Sequence, residues 1–100
     1  MNTADFITFK QDWYATSSPA AQAKFRNWLL TLLGTTIVTI AFRKADGSER
    51  VMKCTTMPEY IGDTVSANDS EYLCKVWDVE AKGWRSFHFD SITDLSFDLL

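Results

Sequence analysis

The pattern of apolar residues changes at Gly34, and this change constrains the fold more than any other feature of the sequence. Before Gly34, apolar side chains recur at helical spacing; after it, β-branched residues alternate with other types. An apolar fraction of 46% and an aromatic fraction of 14% are typical of a chain that folds around a core. The 100 residues suffice for one domain. The sequence therefore predicts a single α+β domain, helical over residues 1–34 and β-structured over residues 35–100.

Two helices are predicted in the N-terminal segment. The first covers residues 4–15, where aromatic residues recur close to one helical face. The second runs from Pro19 to Leu33, because Ser18 is a favourable N-cap and proline is favoured at the first helical position. Its apolar stripe consists of Phe25, Trp28, Leu29 and Leu32.

The apolar stripe of the second helix allows two interpretations. The stripe packs on the β-structured part of its own chain, or part of the stripe contacts another chain. Aromatic residues are enriched at protein interfaces, and the N-terminal third is unusually aromatic. Trp13 and Trp28 are therefore candidate residues for binding a partner protein.

Five short strands are predicted after Gly34, at residues 35–43, 49–56, 72–79, 84–89 and 93–98. Asp46 and Gly47 indicate a tight turn between the first two strands. Pro58 cannot donate to a strand ladder, so a single helical turn should follow there, and residues 62–70 form a polar exposed loop. Short strands joined by tight turns are typical of a small closed or half-closed antiparallel barrel. The N-terminal helices would cover one of its open ends.

The charge balance disfavours strong sequence-independent binding of nucleic acid. The formal net charge is −3, and the ten basic residues are scattered along the chain. Proteins that hold phosphate backbones non-specifically need clustered Lys and Arg. The most basic stretch is at the first hairpin, where Arg43 and Lys44 precede the turn and Arg50 follows it. A local basic face remains compatible with the composition.

Targeting and redox features predict a cytoplasmic protein. No apolar run approaches the roughly 20 residues of a membrane span, and the N-terminus lacks the basic region of a secretory signal. Without secretion, Cys54 and Cys74 are expected to be reduced, buried thiols.

No catalytic residues, metal site or cofactor are expected. His88 is the single histidine, and nothing near it in sequence would activate a cysteine nucleophile. Two cysteines and one histidine lack the close spacing of zinc motifs, and the acids of the 62–70 loop do not follow the calcium-loop pattern.

The aromatic residues of the third and fourth barrel strands allow two interpretations. Trp77, Trp84, Phe87 and Phe89 crowd these strands, and Lys75 and Arg85 lie close to them in sequence. Such side chains fill the interior of a small barrel, or they stack nucleic-acid bases on its surface.

Two segments of the chain resemble a family of small bacteriophage proteins described as Sm-like (Src-homology-3-like) β-barrels related to the WYL domain. The resemblance spans Val38 to Ile92 and is carried by residues 46–52 (Asp-Gly-Ser-Glu-Arg-Val-Met), Cys54-Thr55, Trp77-Asp78 and residues 84–87 (Trp-Arg-Ser-Phe). It implies a phage origin and a barrel. Related WYL domains are thought to bind nucleic acid or nucleotides, so the matching positions of interest are Arg50, Trp77, Trp84 and Arg85.

These observations leave two function hypotheses. The first is a non-catalytic phage accessory protein that binds a host or phage protein in the host cytoplasm, with or without inhibiting it. The alternative is an Sm-like module for nucleic acid or nucleotides that uses Arg50, Arg85 and the barrel aromatics. Self-association into a homo-oligomer is compatible with both, because open barrel strands often pair.

Overall fold

The computed structural model describes residues 4–62 and 70–98. Residues 63–69, most of the polar loop predicted from sequence, lie outside the described residues. The strands are β1 (Ala4–Thr8), β2 (Val38–Arg43), β3 (Glu49–Thr55), β4 (Leu73–Asp78), β5 (Gly83–His88) and β6 (Ile92–Asp98). The helices are α1 (Pro19–Leu33) and the single turn α2 (Pro58–Ile61), and a 3₁₀ turn spans Phe89–Ser91.

The strands form one antiparallel sheet in the order β1-β6-β2-β3-β4-β5. The sheet does not close in the described part of the chain, since no pairing joins β1 to β5. The expected number of five strands is therefore wrong, and of the two expected forms of the barrel, closed and half-closed, the closed one is wrong. The five strands predicted from sequence are all present, and the sixth strand comes from the N-terminus.

The helix predicted over residues 4–15 is absent. Ala4–Thr8 is strand β1, which pairs with β6 with Ile7 opposite Leu95. The aromatic spacing in this segment suits a helix, but the pairing with a strand at the other end of the chain overrides that local pattern. Turns follow, with Asp12 at a φ of 62°. Within the described residues 4–34, the predicted helical segment thus consists of strand β1, turns and one helix.

Helix α1 begins and ends where the sequence predicts. Ser18 is its N-cap, and the Ser18 hydroxyl oxygen accepts a hydrogen bond from the Ala21 N–H at 3.1 Å. Pro19 occupies the first turn, where its missing N–H costs nothing. Leu29 and Leu33 are fully buried against the sheet. The helix therefore packs on its own chain along these two residues.

A chain of aromatic contacts joins the N-terminal third to the sheet. The rings of Phe9 and Trp13 stack with their centroids 4.2 Å apart. Trp13 also meets Phe25 of α1 edge-on, with 4.6 Å between the ring centroids. The Trp13 indole N–H donates to the Ile92 carbonyl oxygen at 3.1 Å. Trp28 contacts Phe97 of β6 at 5.8 Å but leaves 39% of its surface exposed. Trp13 is thus a partly buried packing residue, whereas Trp28 is more exposed to solvent.

The Thr55 hydroxyl connects the end of α1 to the end of β3. As a donor it has two acceptors within reach, the Leu33 carbonyl oxygen at 2.9 Å and the Thr36 carbonyl oxygen at 3.1 Å, and it accepts from the Met57 N–H at 3.1 Å. Thr55 is fully buried. The Leu33 carbonyl, the last of α1, has no donor within the helix, and it is satisfied here by the Thr55 hydroxyl and by the Thr56 N–H at 2.9 Å.

We expect the two tryptophans of the N-terminal third to differ in their effect on stability. Trp13→Ala should lower the free energy of unfolding by about 3 kcal/mol, because it removes a packed ring and the partner of the Ile92 carbonyl. Trp28→Ala should cost about 1 kcal/mol, since much of that ring is already in water. Urea denaturation followed by circular dichroism measures both. Equal losses for the two variants would contradict this account of the aromatic contacts.

Candidate functional site

A cleft of about 230 Å³ lies between the β2–β3 hairpin and the edge strand β5. Its floor is apolar: Phe42 and Phe87 stack at 5.5 Å, and Met52 is buried beside them. Its remaining lining residues are Arg43, Lys44, Ala45, Arg50, Arg85, Ser86, His88 and Ser91. We call this site the basic cleft.

The hairpin turn fixes one wall of the basic cleft. Gly47 has a φ of 88°, a conformation that favours glycine. The Asp46 carboxylate accepts from the Ser48 hydroxyl at 2.6 Å and from the Ser48 N–H at 2.9 Å. These hydrogen bonds hold the pKa of Asp46 below its ordinary value, and the bond from the Ser48 side chain has the largest effect. The turn thus places Arg43 and Lys44 close to Arg50, as the sequence predicted for a hairpin.

Strand register brings Arg50 and Arg85 to the same face of the sheet. Arg50 lies opposite Phe42 and Arg85 lies opposite Val76, two buried residues. Since alternate residues of a strand share a face, both arginines belong to the buried face at the point where it opens to solvent. The basic cleft is that opening.

The Asp78 carboxylate holds Arg50 in the basic cleft. One Asp78 oxygen lies 3.5 Å from an Arg50 guanidinium nitrogen. Its other oxygen accepts from the N–H groups of Glu80 and Ala81 at 3.0 and 2.9 Å. The Asp78 side chain is only 6% exposed, whereas that of Arg50 is 40% exposed. The ion pair itself therefore contributes little to stability, and its main effect is to limit where the guanidinium can lie.

The charge of the basic cleft has one sign. Arg43, Lys44, Arg50 and Arg85 line it, and no Asp or Glu is among its lining residues in the described part of the chain. This contrasts with the net charge of −3 for the whole protein. A concave site with an apolar floor and several cations attracts anions and raises their local concentration.

A second depression, of about 250 Å³, lies beside the basic cleft and is lined by Lys75, Trp84, Arg85 and Ser86. Trp84 is opposite Trp77 in the β4–β5 register, and the two rings meet edge-on at 5.7 Å. Trp84 is 37% exposed, and Trp77 is half-buried behind it. We call this site the Trp84 depression.

The structure places the candidate residues of the sequence analysis in two groups. Arg50 and Arg85 meet in the basic cleft, and Trp77 and Trp84 lie beside it. Trp13 and Trp28 lie elsewhere, among the aromatic contacts of α1.

Five further polar residues line the basic cleft that were not candidates from the sequence: Arg43, Lys44, Ser86, His88 and Ser91. For Arg43 and Lys44 a signal was present, because these two adjacent cations directly precede the hairpin turn.

Cys54 and Cys74 are free and fully buried, on the same side of the sheet as the core. Burial raises the pKa of the Cys74 thiol from 9.0 to about 12, and burial raises the pKa of the Cys54 thiol further. Both thiols are therefore protonated near neutral pH, and a protonated thiol is a poor nucleophile.

We expect neither thiol to react with an aryl disulfide reagent in the native protein at about pH 8, and both to react at once in urea. A native-state reaction within seconds would contradict the buried positions.

The free energy of unfolding should also fall as pH rises above 9.0, because the unfolded thiols then lose protons that the folded thiols, with raised pKa values, retain.

Residues 4–62 and 70–98 contain neither a cluster of metal ligands nor a helix that could span a membrane. No three side chains of the His, Cys, Asp or Glu types are grouped there so that they could hold a metal ion. None of the helices in this part of the chain has the length and apolar character needed to cross a membrane.

Comparison with known families matches residues 26–93 to WYL_2, described as an Sm-like SH3 beta-barrel fold. This is about two thirds of the chain. The chain belongs to the WYL_2 family. The matched region begins inside α1 and includes every residue of the basic cleft and of the Trp84 depression. Strand β1 and the Phe9–Trp13 contact lie outside it. No curated protein and no solved structure matches the chain.

Proposed function

We propose that this WYL_2 protein is a non-catalytic module that binds nucleic acid or nucleotides through the phosphate groups of the ligand. The observation that carries the proposal is the basic cleft, with four cationic side chains and no lining carboxylate among the described residues. Arginine is well suited to this role, because its planar guanidinium donates in a fork that fits phosphate oxygens.

The apolar floor and the fixed arginine favour this class of ligand. Phe42 and Phe87 give a surface on which the non-polar part of a ligand can pack. Asp78 restrains Arg50, so less side-chain freedom is lost when a phosphate binds. Because the net charge of the whole protein is −3, a nucleic acid should contact the protein within the basic cleft, and a long duplex should not wrap around it.

The test compares two charge reversals that change the net charge equally. Arg85→Glu should weaken binding of a fluorescently labelled oligonucleotide about tenfold or more at low salt, because one phosphate contact is replaced by repulsion. Lys24→Glu, on the exposed side of α1 and outside both sites, should leave the affinity within about twofold of the wild type. Fluorescence anisotropy measures both dissociation constants.

The salt dependence provides a second readout of the same experiment. The slope of log affinity against log salt should be shallower by about 0.7 for Arg85→Glu, the value for one phosphate contact to a single strand. The slope for Lys24→Glu should be unchanged. Equal losses in the two variants would show that the overall field, and not the basic cleft, determines binding.

A second candidate function is that of a phage accessory protein that binds a host or phage protein in the host cytoplasm. The observation that favours it is Trp28, an aromatic side chain that α1 leaves 39% exposed. Partly exposed tryptophans are frequent at the centres of protein interfaces. A homo-oligomer could use the same surface.

A pull-down from bacterial lysate, divided into samples with and without nuclease, separates the two candidates. For protein binding, one stoichiometric partner should survive nuclease treatment and be lost with Trp28→Ala, whose fold is checked by circular dichroism. Arg85→Glu should retain that partner. Loss of every captured protein after nuclease treatment would exclude protein binding by this surface and support the basic cleft.

A further inference from the structure

The basic cleft and the Trp84 depression share one wall. Arg85 and Ser86 line both of them. Trp84 and Arg85 are consecutive in β5, so their side chains leave opposite faces of the sheet, and their Cα atoms are only about 3.8 Å apart. In the described chain the sheet ends at β5, so no further strand separates the two faces there.

We propose that the ligand of the basic cleft is a single-stranded oligonucleotide that crosses the edge of β5 and stacks a base on Trp84. This inference rests on the proposed nucleic-acid function and specifies its ligand. Phosphates occupy the basic cleft, Arg85 contacts the backbone at the crossing, and the base lies in the Trp84 depression.

The geometry of Trp84 suits base stacking. Its ring is restrained by the edge-on contact with Trp77 at 5.7 Å, and it remains 37% exposed. A ring that is already ordered loses little conformational entropy when a base covers it. Stacking on an aromatic side chain requires no particular base, so this site adds affinity without strong sequence preference.

The charges around Trp84 fit a nucleic-acid backbone. Lys75 and Arg85 line the Trp84 depression, and no carboxylate does so within the part of the chain that the structure describes. A second cationic region next to the basic cleft extends the positive surface around the edge of β5. Duplexes keep their bases inside the helical stack, so an unpaired base is the group that can reach the exposed ring.

The test uses the full chain and three labelled probes: thymidine monophosphate, an octamer of deoxythymidylate, and an abasic octamer with the same number of phosphates. We expect the thymidylate octamer to bind most tightly. Trp84→Ala should weaken its binding about tenfold, the usual size of one stacking contact, and leave the abasic octamer within about twofold.

Two further variants control for folding and for the loss of an exposed ring. Trp84→Phe keeps an aromatic face and should retain most of the affinity for the thymidylate octamer. Tyr60→Ala removes a ring of similar exposure, 39%, from α2, outside both sites, and should have no effect. Circular dichroism and thermal unfolding confirm that each variant keeps the fold.

Two results would overturn the inference, and they differ in what they say of the proposed function. In the first, the thymidylate and abasic octamers bind equally, and Trp84→Ala has the same affinity for the thymidylate octamer as Tyr60→Ala. No base then stacks on Trp84, although the basic cleft still binds phosphates. If none of the three probes binds the wild-type protein, the nucleic-acid function itself is wrong.

Discussion

An antiparallel sheet that does not close on itself must cover its apolar face with another element, and this requirement organises the molecule. Helix α1 meets it with Leu29 and Leu33, which are fully buried against the sheet. The helix stands in the chain between β1 and β2, and β6 pairs with both of these strands. Its two ends are therefore connected to neighbouring parts of one sheet, and the aromatic contacts of Trp13 and Phe25 fill the space between helix and strands.

The basic cleft follows from the same arrangement. The face that α1 covers continues towards the hairpin end of β2, where Phe42 and Phe87 form the floor of the cleft and remain buried. Cations surround this floor because β3 and β5 each carry an arginine at a position that register assigns to the buried face. The buried Asp78 carboxylate offsets part of that charge by its ion pair with Arg50. Asp78 does not line the cleft, and neither does any other carboxylate of the described residues.

Features that depend on nearby residues could be predicted from the sequence. The start of α1 requires Ser18 and Pro19, and the hairpin requires Gly47, so each is encoded within a few positions. Strand β1 could not be predicted in this way, because its partner β6 lies at the opposite end of the chain and its aromatic spacing imitates a helical face. The Arg50–Asp78 contact is likewise a product of the fold, although Arg50 and Arg85 can each be identified as candidates from the sequence.

The buried Thr55 hydroxyl has a consequence for the way the molecule opens. It satisfies the Leu33 carbonyl at the end of α1 while it accepts from the Met57 N–H after β3. If the helix undocked alone, the Thr55 hydroxyl and the Thr56 N–H would both lose the Leu33 carbonyl oxygen as a partner, at a cost of about 1–3 kcal/mol for each of them that stays buried. Partial opening at this corner is therefore penalised, and helix and sheet behave as one cooperative unit whose amide protons exchange with solvent together.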